Sequence, residues 1–186
     1  MELNWTELLV DQVDWHWTHQ LRPRLDGLTD EEYRWEPVAG AWNVRPRGSG
    51  GGAKIAAGSG DWVIDFEFPQ PEPAPVTTIA WRVGHLVVGV FGMRVASHFG
   101  GPAMDYQSHD YPGDAKTALR QLDDNYQAWL DGVRKADLSE PCGPAEGPFA
   151  DSSMARLVLH INRELLHHGA EIALLRDLYQ WRSPAA

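Results

Sequence analysis

The stretch TTIAWRVGHLVVGVFGMRVASH, residues 77–98, is apolar on nearly every side of a helix. Such a helix has no polar face to turn toward water, so it predicts the most buried element of the fold, with other elements packed around it. Near its centre the only ionisable residues are Arg82 and His85. The continuous apolar run within it, Val83–Met93, is broken by glycines and by His85. That run is too short to span a bilayer, so burial inside the protein is expected.

Three more segments carry helical periodicity. The first runs from about Trp5 to Leu25, with Pro23 expected to kink or tighten its end. A short turn follows, capped by Thr29 or Asp30. The buried helix starts at an N-cap on Thr77 or Thr78 and runs to about His98, before FGGP. The third begins near Asp114, the expected cap. The fourth starts after Asp151-Ser152-Ser153 and continues to about Trp181. Four long helices with one long connection predict an all-α chain, a single four-helix domain over residues 1–186. The connection, residues 37–76, is unusually long for a compact domain. Its glycine-rich part, 48–60, lacks the Gly-Lys-Ser/Thr ending of a phosphate loop and reads as flexible. DWVIDFEF alternates as a short strand does, with Trp62, Ile64, Phe66 and Phe68 on one side.

Charge narrows the partners. The formal net charge is −10, which repels phosphate backbones and anionic lipid, so neither nucleic acid nor a membrane surface is expected. The single cysteine, Cys142, excludes an internal disulfide and fits a reducing compartment; it reads as an incidental loop thiol. MELNWTELLV has no basic segment ahead of an apolar one, so no secretory signal is expected and the reading is cytoplasmic. Nine tryptophans exceed what one core needs; clustered on the surface they would mark a ligand groove or a homodimer interface.

The fourth helix contains HINRELLHHGAEIALLRDLY, residues 160–179, an ionisable cluster within an apolar pattern. At about 100° per residue with Leu157 as zero, Leu175 falls near 0°, Ile161 near 40° and Leu165 near 80°. His168 lies inside that stripe at about 20°, and Glu164 beside it at about 340°. Glu171, His160 and His167 fall progressively further out. A carboxylate facing an apolar interior is costly unless it is paired or coordinates a cation. Glu164 and His168, four apart, are neighbours on one face and can offer two ligands to one metal. They can equally hydrogen-bond to each other. His160 and His168 are about 12 Å apart along the axis, too far to share an ion.

His85 is the candidate third ligand. Thr78, Gly89, Gly92 and Ala96 surround it on a regular wheel and leave room for close packing or a small cavity. A buried neutral imidazole needs partners for both nitrogens: a metal and an acceptor satisfy both, as does a hydrogen bond to a carbonyl or a Tyr hydroxyl. Two imidazoles and a carboxylate with open positions suit Zn²⁺, Ni²⁺ or Fe²⁺. His16 and His19 on the first helix are rival or supporting groups.

WRVGHL on the second helix, RELLHHGAEIALLRDLY on the fourth, and LRPRLDGLTDEEYRWEPVAGAWNVRPRG after the first resemble the DinB-like superfamily. The closest likeness is to its actinobacterial branch, the mycothiol-dependent maleylpyruvate isomerases and related thiol transferases. The resemblance implies a four-helix bundle of up-down-down-up connectivity. It also implies a divalent metal, zinc or nickel, held by a histidine of the second helix and a glutamate and histidine four apart on the fourth. Those map onto His85, Glu164 and His168, with mycothiol as the implied co-substrate and a small molecule as substrate.

Three functions are then open. One is a metal-dependent transferase or isomerase using a low-molecular-weight thiol, with His16, Trp81 and the tryptophans of 37–76 lining its pocket. The second is a hydrolase in which metal-bound water attacks. The third is a non-catalytic metal-binding bundle.

Overall fold

The structure, a computed structural model, describes residues 3–182. Four long helices dominate it. The first is Trp5–His16, capped by Asn4, whose side chain accepts from the Glu7 N–H; it continues through a π-helical turn, Trp17–Leu21, into Arg22–Arg24. Pro23 sits just past that turn, where its missing N–H is consistent with the wider winding upstream. The second comprises Ile79–His85, a π-helical stretch Leu86–Gly92, and Met93–Phe99, stopped by Gly100 in the left-handed region at φ 70°. The third spans Ala115–Val133 and the fourth Met154–Trp181. A short helix, Asp30–Tyr33, is capped by Thr29, and a 3-10 segment covers Pro144–Phe149.

Contacts fix the helix directions. Asn162 Nδ2 donates to the Leu9 carbonyl while Arg24 pairs with Asp177, so the first and fourth run in parallel. Asp14 accepts from the Tyr126 hydroxyl and Arg22 pairs with Asp123, which sets the first against the third antiparallel. Phe99 packs over Gly132 near the far end of the third, and Gly84 meets Tyr111 just ahead of its start. The second and third therefore run together. Their shared core holds Trp129, Phe91, Leu122, Ile161 and Leu165, all fully enclosed.

The chain is not all-α, and this corrects the sequence reading. The 37–76 connection folds into a three-stranded antiparallel sheet, β1 Val44–Pro46, β2 Ile55–Ala57 and β3 Trp62–Phe66, in the order β1-β3-β2. Val44 and Ala57 both pair with Ile64. β2 lies inside the glycine-rich segment read as flexible. One strand was expected; it is the central one, and Phe68 lies beyond it, exposed. The sheet is stitched to the second helix. Trp42 exchanges backbone hydrogen bonds with Val76 and Thr78, and the Thr78 hydroxyl donates to Asn43 Oδ1 while accepting from the Trp81 N–H.

A second correction concerns the buried helix. Taken whole, Ile79–Phe99 is long and apolar enough to cross a bilayer, but 67% of its most apolar window is buried inside the protein. Of the nine tryptophans, Trp5, Trp15 and Trp181 are exposed and the others pack inward.

Asp114 caps the third helix as expected, its carboxylate accepting from the Thr117 N–H at 2.8 Å. That bond holds the carboxyl below the usual aspartate range. Its stabilisation is therefore present at neutral pH and lost as the pH falls through the depressed pKa. Asp114→Ala should cost about 1 kcal/mol, read as a Tm lowered by about 2–4 °C at pH 7. The difference should shrink in melts taken at acid pH, below the ordinary aspartate range.

Candidate metal centre

His85 closes the first α-helical part of the second helix, where the winding changes to π geometry. π-helical turns recur at functional sites because they redirect side chains without ending the helix. The Trp81 ring stacks on His85, centroids 5.3 Å apart and planes 17° apart. His85 Nδ1 lies 2.6 Å from the Tyr106 hydroxyl. The Tyr-hydroxyl partner foreseen for this imidazole is thus present, delivered by the loop after the second helix. Gly89 makes it possible: a Cβ there would stand 2.1 Å from the Tyr106 oxygen. At Gly92 a Cβ would stand 2.0 Å from Met104 Sδ. The room expected beside His85 is filled by this loop and is not a cavity.

Burial first, and then the positive charges around it, push the His85 pKa down to about 3. At neutral pH the ring is uncharged, the form that can ligate a metal.

His168 is buried and meets His85 edge-on, ring centroids 4.7 Å apart and planes 89° apart. Its Nε2 lies 3.5 Å from Glu164 Oε2. Its Nδ1 lies 2.8 Å from Glu171 Oε2 and 3.0 Å from Arg82 Nη1, and those two partners pair at 2.9 Å. One ring nitrogen cannot both donate to Glu171 and accept from Arg82. With Arg82 already paired to Glu171, the consistent assignment has Nδ1–H donating to the carboxylate. Burial lowers the His168 pKa, opposed by the Glu171 hydrogen bond. The Nε2 lone pair is then left facing Glu164.

Glu164 is half-buried, 3.4 Å from His160 Nδ1 and 3.5 Å from an Arg163 nitrogen. The structure therefore draws His85 to His168 and sets Glu164 beside His168. A different group has the tightest ligand atoms: those of His167, His168 and Glu171 lie within 4.8 Å of one another. The helical wheel placed His167 and Glu171 progressively away from the stripe. The spacing of Glu171 from His167 and from His168, four and three residues, was the signal for this cluster.

These donor sets share His168 through opposite nitrogens. The outer one, on Nδ1, already holds the Arg82 guanidinium at 2.9 Å from Glu171, and a divalent ion there would meet that fixed cation. The inner one, on Nε2, lies against the Glu164 carboxylate, with the neutral His85 ring packed edge-on against His168. The chemistry of either set, imidazole nitrogen with carboxylate oxygen, fits zinc, nickel or ferrous iron.

Other expected residues fall elsewhere. His16 bonds Gln20 and His19 stacks on Trp15; both line a groove between the first and fourth helices with Gly169, Ala170 and Ala173. Trp42 tilts against Trp81 at 6.0 Å and backs the site. Trp62 packs against Gly113 and under Arg34, away from it. Cys142 is buried, and burial pushes its thiol pKa up, which leaves it a poor nucleophile.

A helical domain with a small sheet and a His/Glu cluster able to hold a divalent metal is what fold and site together define. The sequence pattern of the DinB superfamily matches residues 12–172, nearly the whole chain, and the chain belongs to that superfamily. Comparison with curated proteins and with solved structures gives no match.

If Tyr106 orients His85 as a ligand, Tyr106→Phe should weaken metal binding by about 10–100-fold, measured by competition with a chromogenic chelator. Far-ultraviolet circular dichroism should be unchanged.

Proposed function

We propose that the protein is a metal-dependent enzyme whose ion is held by His85, Glu164 and His168. In this reading it is a transferase or isomerase that uses a low-molecular-weight thiol such as mycothiol on a small-molecule substrate in the cytoplasm. Its frame is taken to be the up-down-down-up four-helix bundle of the superfamily. One observation carries the choice of ligands. Both histidines engage a protein partner through Nδ1, Tyr106 for one and Glu171 for the other, while neither Nε2 makes a hydrogen bond among the described residues.

His85, Glu164 and His168 would hold a divalent ion, which when bound would supply the chemistry that keeps a thiol deprotonated, its nucleophilic form. The surrounding residues have separable tasks. Glu171 fixes the His168 tautomer and Tyr106 fixes the His85 ring. Arg82 neutralises Glu171, keeping that carboxylate out of competition for the ion. Trp81, braced by Trp42 and by its indole N–H on the Asp65 carbonyl at 2.8 Å, walls off the rear of the site. The deciding experiment is turnover of candidate electrophiles with and without added thiol. Metal-dependent turnover that requires the thiol supports this reading. Metal-dependent hydrolysis without it assigns the chemistry to bound water instead.

A further inference from the structure

A cavity of about 700 Å³ opens beside the 3-10 segment, between the second helix and the start of the fourth. That size lies within the range of small-molecule sites. Arg94, Arg156 and Arg163 line it, with one carboxylate, Glu146, among the lining residues. In a chain of net charge −10 this is a local reversal of sign, which focuses anions.

The guanidinium donors are only partly engaged by neighbours. Arg94 Nη1 donates to the Gly89 carbonyl, while its Nε, shielded from solvent, makes no hydrogen bond; Glu146 Oε1 lies 3.5 Å from that nitrogen without hydrogen-bond alignment and is also engaged by His98 at 3.0 Å. Arg156 donates to the Ser152 hydroxyl and lies over the Phe149 ring, and among the described residues no carboxylate lies within 4.0 Å of it. Arg163, two turns further along the same face, contacts His160 and Glu164. Between these cations the walls are apolar, formed by Leu157, Leu159 and Phe149. A guanidinium fork matches a carboxylate in two parallel hydrogen bonds, and an apolar wall beside it selects a carboxylate attached to a hydrocarbon body.

We propose that this cavity is a binding site for an organic acid, its carboxylate held by Arg94, Arg156 and Arg163 and its body against Leu157 and Phe149. The inference goes beyond the metal reading and does not require an ion.

Nitrogen-15 NMR tests it, with benzoate, benzamide and inorganic phosphate as probes. Benzoate should saturably shift the Arg94 Nε–Hε signal and the Leu157 amide. Benzamide, of the same shape without charge, should not. Arg156 and Arg163 are exposed, so the Arg156→Gln/Arg163→Gln double variant should keep its amide spectrum while its Kd for benzoate rises at least about tenfold. Treatment with a chelator should leave benzoate affinity unchanged. Shifts by benzamide equal to those by benzoate, phosphate competing at equal concentration, an unaltered Kd in the double variant, or binding lost with the metal would each overturn the proposal. Benzoate binding with no metal in the protein would leave it standing and count against the metal centre alone.

Discussion

On the proposed ligand set, His85→Ala should purify with less than about a tenth of the divalent metal carried by the parent, because loss of a direct ligand would exceed the 10–100-fold penalty of losing a ligand's partner. His167→Ala should retain its metal. The pair of variants separates the two donor sets that share His168. If the ion sits on the outer set, the pattern inverts: His167→Ala loses it and His85→Ala keeps it. His168→Ala removes it in either case and serves as the control for an empty site. Metal content by plasma mass spectrometry on untagged protein gives the answer, with thermal melts to show that each variant folds. His85 is half-enclosed and its neighbours Trp81 and Tyr106 are held by Asp65 and by the second helix, so removal of the imidazole leaves a small gap and no unpaired charge.

Asp65→Ala should lower stability by about 3 kcal/mol, a Tm shift of about 6–12 °C for a chain of this length. Asp65 is a buried acid on the central strand. Its Oδ2 accepts from the Asn43 N–H and from Arg45 Nε, each at 2.9 Å. Removing it strands that amide and leaves Arg45 with Glu36 and the Ala41 carbonyl alone. The retained pair keeps the loss at the low end for a broken buried ion pair. Asp65→Asn, which preserves an acceptor but not the charge, should lose about half as much. Equal melting of Asp65→Ala and the parent would show that the sheet is not coupled to the helical core.

The four long helices were legible in the sequence because each presents its apolar residues at helical spacing and starts at a recognisable cap, Thr78 and Asp114 among them. Of the sheet only the central strand was, through its alternation. Strands of three residues carry too few alternations to register, and β2 emerges from glycine-rich chain only through its pairing with β3. On the fourth helix, the inward placement of His168 with Glu164 half-buried beside it could be read from angle alone, since a straight helix preserves the wheel. Tyr106 could not, because it arrives from a loop whose path no local pattern encodes. Of the residues assigned to the surroundings of His85, Gly89 does lie beside it, a Cβ there standing 3.0 Å from its Nδ1, whereas Gly92 meets Met104 instead. The wheel assumed uninterrupted α-helix through Gly89, Gly92 and Ala96, whereas the chain is π-helical from Leu86 to Gly92.

That wider winding reaches beyond His85. In a regular helix a residue nine positions on points about 180° away, so His85 and Arg94 would occupy opposite sides. One surplus residue in the coil delays the phase by roughly 100°, turning Arg94 back toward the fourth helix that His85 also addresses. A single rod would thereby serve both proposed stations, one for a cation and one for an anion. Deleting one residue between Leu86 and Gly92 would rewind it and part them, with no substitution at either station.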